Sequence, residues 1–188
     1  DEESVDVCRK FTKLKCRLMP YLYGKAVEAH EHGVPMMRPM MLEFPDDPAC
    51  GMLDRQYMLG DSLLVAPIFR KDGEVQYYLP DGTWTSLLDG GKVEGGHWQT
   101  EIHDFMSLPL MVRPGTVLPL GAHDDRPDYD YLDGVELHVY QLADGESETV
   151  EIPDTKGNVA ATFTVTMKDG QAQVETDSTK PYTVVVHQ

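Results

Sequence analysis

Pro35-Met36-Met37-Arg38-Pro39-Met40-Met41-Leu42-Glu43-Phe44-Pro45, with the segment Gln56 to Ile68 that follows, decides how this chain is read. Neither Met36 to Leu42 nor Ser62 to Ile68 alternates apolar and polar residues. A near-continuous apolar run reads as a strand buried on both faces, the pattern of parallel strands covered by helices. Asp47-Pro48 supplies an N-cap and a first-turn proline, so Ala49 to Met58 reads as a short helix, and Gly60-Asp61 as the turn into the second strand. Two strands joined by such a crossover are expected to run parallel. Two strands are not a parallel sheet, so the remaining strands are expected from residues this chain does not contain.

Outward from that stretch, the texture differs on either side. On the N-terminal side, Val7, Phe11, Leu14, Leu18, Leu22 and Ala26 recur at helical steps, predicting a helix over Ser4 to His32. Ser4 is the expected cap, Pro20 is expected to kink the helix or split it in two, and Gly33 is the expected left-handed terminator. After Phe69 the turn signals Asp72-Gly73, Pro80-Asp81-Gly82 and Asp89-Gly90-Gly91 recur about every nine residues, the spacing of a β-sandwich. Strands are expected over Glu74 to Leu79, Thr83 to Leu88, Phe105 to Arg113, Thr116 to Leu120 and Val135 to Leu142, with a loop over Asp124 to Asp133. Four more follow, at Glu148 to Ile152, Val159 to Lys168, Gln171 to Thr176 and Tyr182 to His187. Gly157-Asn158 and Asp169-Gly170 are the hairpin turns.

The chain has 188 residues and a formal net charge of −16. That excess of acid argues against a nucleic-acid or anionic-membrane partner, since like charges repel. Three cysteines, Cys8, Cys16 and Cys50, with no CxxC pair, fit a reducing compartment, so a cytoplasmic protein is expected. No apolar run approaches the ~20 residues of a membrane helix. The opening Asp1-Glu2-Glu3-Ser4 reads as the interior of a longer polypeptide.

Several blocks together resemble the C-terminal third of glycoside hydrolase family 31. They are Met36 to Pro45, then Gln56-Tyr57-Met58-Leu59-Gly60-Asp61-Ser62-Leu63-Leu64-Val65-Ala66-Pro67, then Ser107-Leu108-Pro109-Leu110-Met111-Val112-Arg113. The stretches Asp46-Asp47-Pro48-Ala49-Cys50 and Leu53-Asp54-Arg55-Gln56-Tyr57 are similar to bacterial α-xylosidases of that family. The resemblance is dense from Asp1 to Asp133 and thin beyond Asp144. It implies an α/β then all-β chain. Residues 1–70 would be the last helix–strand units of a (β/α)8 TIM barrel, 71–142 a proximal β-sandwich, and 143–188 a distal β-sandwich. It also implies a retaining α-glycosidase acting on terminal α-xylosidic bonds, with two aspartates ~5 Å apart as nucleophile and acid/base. Neither motif bearing those aspartates is found here, so no catalytic residue is carried over and the chain alone is expected to be inactive. The implied partners are an α-xyloside or related oligosaccharide, the N-terminal barrel portion of the same enzyme, and further copies in a homo-oligomer. No cofactor or metal is expected.

The substrate-binding candidates are Arg38 and Asp46. Arg38 lies in an apolar run, where a charge must be paired. Either it orients an active-site carboxylate of the absent barrel, or it makes a structural ion pair. Asp46, beside Asp47 at the exit of a barrel strand, is either a rim ligand for a sugar hydroxyl or a solvated neighbour of a helix cap. Asp61, at the start of the second strand, has a similar choice between a role toward the active site and that of a turn residue after Gly60. His97, His103 and His123 lack any metal-ligand spacing. Trp84, Trp98, Tyr77 and Tyr78 read either as sandwich core or as a sugar-stacking platform. That second possibility motivates the rival reading, a non-catalytic carbohydrate-binding or scaffolding β-sandwich module.

Overall fold

In the computed structural model, which describes residues 1–188, the stripe beginning at Val7 forms two helices, α1 (Glu2–Arg17) and α2 (Met19–His32). The cap is Asp1 rather than Ser4: its carboxylate accepts the Ser4 N–H at 2.8 Å. Glu2 and Glu3 in the first turn, with Lys15 and Arg17 in the last, complement the helix dipole. Leu18 separates the helices, and Pro20 falls in the first turn of α2, where no intrahelical donor is required. Gly33 ends α2 in the left-handed conformation at φ 71°, its N–H bonding the Ala29 carbonyl at 3.1 Å.

The residues divide into two compact units, Pro35–Pro114, and Asp1–Val34 with Gly115–Gln188. The first contains β1 (Met37–Arg38), α3 (Met40–Glu43), a 3₁₀ turn over Pro48–Met52, β2 (Tyr57–Leu59) and β3 (Leu63–Val65). It continues with β4 (Glu74–Leu79), β5 (Thr83–Ser86), β6 (Lys92–Glu94), β7 (His97–Ile102) and β8 (Leu110–Val112). One sheet has the order β1-β2-β3-β8-β5-β6, and β4 and β7 pair separately. Trp84, Tyr77, Leu79, Met58, Leu64 and Met40 are fully buried and belong to one core.

This arrangement corrects the reading of the opening stretch. Only Met37 and Arg38 of the expected strand Met36 to Leu42 are extended; Met40–Glu43 is helical, leaving Met41 55% and Leu42 48% exposed. Pro39 explains the break, because it has no N–H for the ladder and its ψ of 147° leads into α3 instead. A short apolar run does not by itself separate strand from helix. The expected helix from Ala49 to Met58 is a single 3₁₀ turn followed by β2, and Gly60-Asp61-Ser62 is a hairpin loop. β2 therefore pairs antiparallel with both β1 (Met37↔Leu59) and β3 (Leu59↔Leu63). β3 then pairs antiparallel with β8 through Leu63↔Val112. The two segments are thus strands of a sheet built from this chain's own residues, not closing strands of a barrel.

The second unit adds β9 (Thr116–Leu120), β10 (Val135–Tyr140), β11 (Ser147–Pro153), β12 (Val159–Lys168), β13 (Gln171–Thr176) and β14 (Tyr182–His187). Its sheets are ordered β14-β10-β9 and β11-β12-β13. β10 and β14 are parallel, and every other pairing is antiparallel. Val135, Leu137 and Val139 of β10 share a core with Ala161, Phe163, Val165 and Met167 of β12, the period-2 pattern of half-buried strands. Asp169 and Gly170, at φ 51° and 73°, form the turn between β12 and β13, as a two-residue loop of this hand requires. Met19 and Tyr23 of α2 pack on the same core, as do Tyr129 and Tyr131 from the loop after β9. The Tyr129 hydroxyl donates to the Cys16 carbonyl at 2.6 Å.

The divisions expected after residues 70 and 142 fall inside these units. Hydrogen bonding across each expected boundary is the reason: β3 bonds β8, and β10 bonds β14 along its whole length. The two short strands β6 and β7 were not expected, since Lys92–Glu94 and His97–Ile102 are mostly polar.

Candidate functional site

Arg38 is 3% exposed and its partner is local. Its Nη1 bonds Glu43 Oε1 at 2.7 Å, and its Nε donates to the Pro35 carbonyl at 2.8 Å. The other oxygen, Glu43 Oε2, accepts from Arg113 Nη1 at 3.1 Å. Arg113 also bonds the Asp61 carbonyl at 3.2 Å, and its guanidinium lies 4.4 Å from the centre of the Phe44 ring. One carboxylate between two guanidiniums thus ties β1, α3 and β8 together. The partner expected from an absent barrel is Glu43, five residues along the same chain. Asp61 is in the β2–β3 turn and accepts the Ser62 hydroxyl at 2.8 Å.

Asp46 is exposed at the lip of a shallow groove of about 470 Å³ that also includes Phe44, Asp47, Tyr78 and Asp81. Asp47 is committed on both oxygens, to the Ala49 N–H at 3.0 Å and to the Tyr78 hydroxyl at 3.0 Å. The first contact is the cap that the sequence implies. Burial, then the adjacent Asp47, pushes the Cys50 thiol up to about 11.

Tyr77, Tyr78 and Trp84 are buried, whereas Trp98 is 58% exposed. Trp98 lines a cleft of about 320 Å³ with Leu53, Asp54, Arg55, Gln76 and Phe69. Its ring is met edge-on by Tyr78, with centroids 5.9 Å apart. Tyr78 is in turn held at both backbone atoms by the buried Gln56 amide, through its carbonyl at 2.7 Å and its N–H at 2.7 Å.

The histidines gather no metal site: no group of three or more His, Cys, Asp or Glu side chains is placed to hold one. His97 Nδ1 lies 2.9 Å from the Gly95 carbonyl, and His123 is 3.6 Å from Asp125. His103 lies between Glu101 Oε2 at 2.7 Å and Ser107 Oγ at 2.9 Å, a juxtaposition without a sequence signature. The Ser107 hydroxyl is also within hydrogen-bond distance of Asp104 Oδ1, at 3.1 Å. Glu101 also accepts the Tyr77 hydroxyl at 2.8 Å, and burial, then that carboxylate, pushes the Tyr77 phenol far above its ordinary range.

In the second unit, Arg17 bonds Glu136 Oε2 at 2.7 Å and His138 Nε2 lies 3.0 Å from the same oxygen. His138 Nδ1 is 2.9 Å from His187 Nε2, and Tyr140 stacks on His187 at 4.3 Å. The bonds from His138 and Arg17 hold the Glu136 carboxyl below the usual carboxylate range.

None of these clusters combines a free nucleophile, a paired base and an enclosed cavity, so the chain's own geometry presents surfaces and structural pairs. Comparison with known proteins supplies the rest. Residues 33–118 match the family described as Glycosyl hydrolase family 31 C-terminal domain, and residues 130–188 match Alpha-xylosidase YicI, C-terminal domain. An α-xylosidase of Emericella nidulans is 42% identical over 93% of this chain, and α-xylosidase XylQ of Lactiplantibacillus pentosus is 38% identical over 100% of this chain. The chain spans only 24% and 25% of those two relatives. Among solved structures, Listeria monocytogenes lmo2446 in complex with glucose aligns at a TM-score of 0.85 and 27% identity, over 99% of this chain and 18% of that one. The Flavobacterium johnsoniae GH31 dextranase complexed with glucose aligns at 0.79 and 26%, over 92% and 22%.

Proposed function

We propose, since the chain belongs to the α-xylosidase branch of glycoside hydrolase family 31, that it is the C-terminal section of a retaining enzyme cleaving terminal α-xylosidic bonds. The observation that carries this reading is coverage. Two α-xylosidases match nearly the whole chain, and the two C-terminal domains are matched in chain order. In this reading both β units are accessory domains. The catalytic carboxylates sit in a (β/α)8 barrel made by other residues, about 5 Å apart so that one attacks the anomeric carbon directly. Helix α1 is the point of attachment to that barrel. It has 16 residues of which only Cys16 is buried, while Val7, Phe11 and Leu14 stay half-buried along one stripe. A helix gains most of its stability from packing such a stripe. The substrate is an α-xyloside oligosaccharide and the enzyme assembles from identical copies in the cytoplasm, a compartment that three unpaired cysteines fit.

The test compares the full-length enzyme with residues 1–188 on aryl α-xyloside and aryl α-glucoside, following the first-formed anomer by proton NMR. The full-length enzyme is expected to favour the xyloside and release the α-anomer first, and residues 1–188 to show no turnover. A β-anomer released first removes the retaining mechanism. Preference for the glucoside removes the xylosidase assignment, and turnover by residues 1–188 alone removes the division of labour.

A further inference from the structure

We infer that the Trp98 cleft on the unit Pro35–Pro114 is a binding site for a neutral saccharide. Trp98 leads on β7, where Tyr78↔Trp98 and Gln76↔Thr100 are cross-strand pairs. Paired residues share a face, so Gln76, Trp98 and Thr100 line one exposed side of the β4–β7 ribbon while Tyr77 and Leu79 face the core. Residues Leu53 to Gln56 and the exposed Phe69 line the same cleft. At about 320 Å³ it falls at the lower end of the roughly 300–1,000 Å³ of small-molecule sites, room for one or two sugar rings.

Three features select a sugar as occupant. The first is a rigid aromatic plate. Trp98 is backed by the Tyr78 edge, and Tyr78 is fixed by Gln56 and Asp47, so the ring needs little ordering when a pyranose stacks on it. The second is exposed polar groups. The side chains of Asp54, Arg55 and Gln76 line the cleft and are exposed, so their donors and acceptors are open to sugar hydroxyls. The third is charge. The lining acids Asp54 and Glu74 balance the lining bases Arg55 and Arg70, which suits an uncharged ligand, and the −16 of the whole chain disfavours an anion. An apolar peptide would bury the charges of Asp54 and Arg55 without offering them hydrogen bonds.

The experiment is affinity electrophoresis of the full-length enzyme through gels containing xyloglucan, dextran or starch, with aryl α-xyloside turnover measured in parallel. Retardation by at least one polysaccharide is expected for the parent. Trp98→Ala is expected to weaken it about tenfold, and Arg55→Ala with Gln76→Ala about threefold, with aryl-xyloside kcat/KM within twofold of the parent. A parent that no polysaccharide retards, or a Trp98→Ala protein retarded as strongly as the parent, overturns the site. Unchanged aryl-xyloside turnover shows that the Trp98→Ala protein is folded; if that turnover falls together with retardation, Trp98 serves the fold and the site is likewise overturned. Because retardation reads polysaccharide binding and the aryl substrate reads turnover, failure of the Trp98 site and failure of the xylosidase reading give different results.

Discussion

Removing the shared carboxylate by Glu43→Ala tests whether the Arg38–Glu43–Arg113 cluster holds the unit Pro35–Pro114 together. Arg38 is buried, its side chain 4% exposed, and Glu43 is 13% exposed. The substitution deletes a charge-assisted bond of 2.7 Å, worth about 1.5–3 kcal/mol. It also leaves a guanidinium out of water without its counter-charge, which brings the loss for a broken buried pair to about 3–5 kcal/mol. The Pro35 carbonyl still accepts from Arg38 Nε at 2.8 Å, so the expected value sits at the lower end, about 3 kcal/mol. The Arg113 side chain is 34% exposed and adds little, because water screens it. Urea unfolding followed by tryptophan emission is the assay. Both tryptophans of the chain, Trp84 and Trp98, lie in this unit, and Trp84 is fully buried. With a slope of about 1–1.5 kcal/mol per molar urea, the midpoint should fall by about 2–3 M. The companion variant replaces the pair with apolar residues, Arg38→Met with Glu43→Leu. It should stay within about 1 kcal/mol of the parent, since an apolar pair has no desolvation cost to offset. A Glu43→Ala protein that loses less than about 1 kcal/mol, or a companion variant that loses as much as Glu43→Ala, would refute the reasoning.

Thiol labelling of the native chain at pH 8 should modify exposed Cys8 and spare Cys16 and Cys50, the last because it is buried with its pKa near 11; rapid labelling of Cys50 would contradict that. Glu136 has a folded pKa below its unfolded one, so its stabilisation is present above about pH 4.3 and fades as pH falls through the folded value. Thermal unfolding of Glu136→Gln by circular dichroism should therefore cost about 1 kcal/mol or less at pH 7, the carboxylate being partly exposed, and the gap to the parent should narrow as the pH falls below about 4.3. A gap that widens in acid would reverse the assignment. Gly95→Ala should cost about 3 kcal/mol by the same tryptophan emission, since its Cβ would lie 1.8 Å from the Pro80 carbonyl oxygen. Gly51→Ala, where a Cβ meets nothing within 4 Å, is the control, and equal losses in the two would remove the steric explanation.

Elements whose signals are local were legible in the residues alone. The period-2 strands Val159–Lys168 and Gln171–Thr176 and the Asp169-Gly170 turn are where alternation and turn chemistry put them. Gly33 and the Asp47-Pro48 cap are likewise read from the few residues around them. The family was also legible, because it rests on ordered blocks of residues rather than on geometry. Tertiary structure decided the rest. A run such as Met36 to Leu42 is apolar whether it becomes strand or helix, and only the pairing of Leu59 with both Met37 and Leu63 shows that its neighbours are antiparallel. The partner of Arg38 was hidden for a related reason. Its need for a counter-charge follows from burial, but which carboxylate meets it depends on where Pro39 turns the chain into α3 and brings Glu43 back. Trp98 and Trp84 are the same residue type, on β7 and β5 of one unit, yet one is exposed beside a cleft and the other sealed. Exposure belongs to the packed chain and is not encoded at any single position.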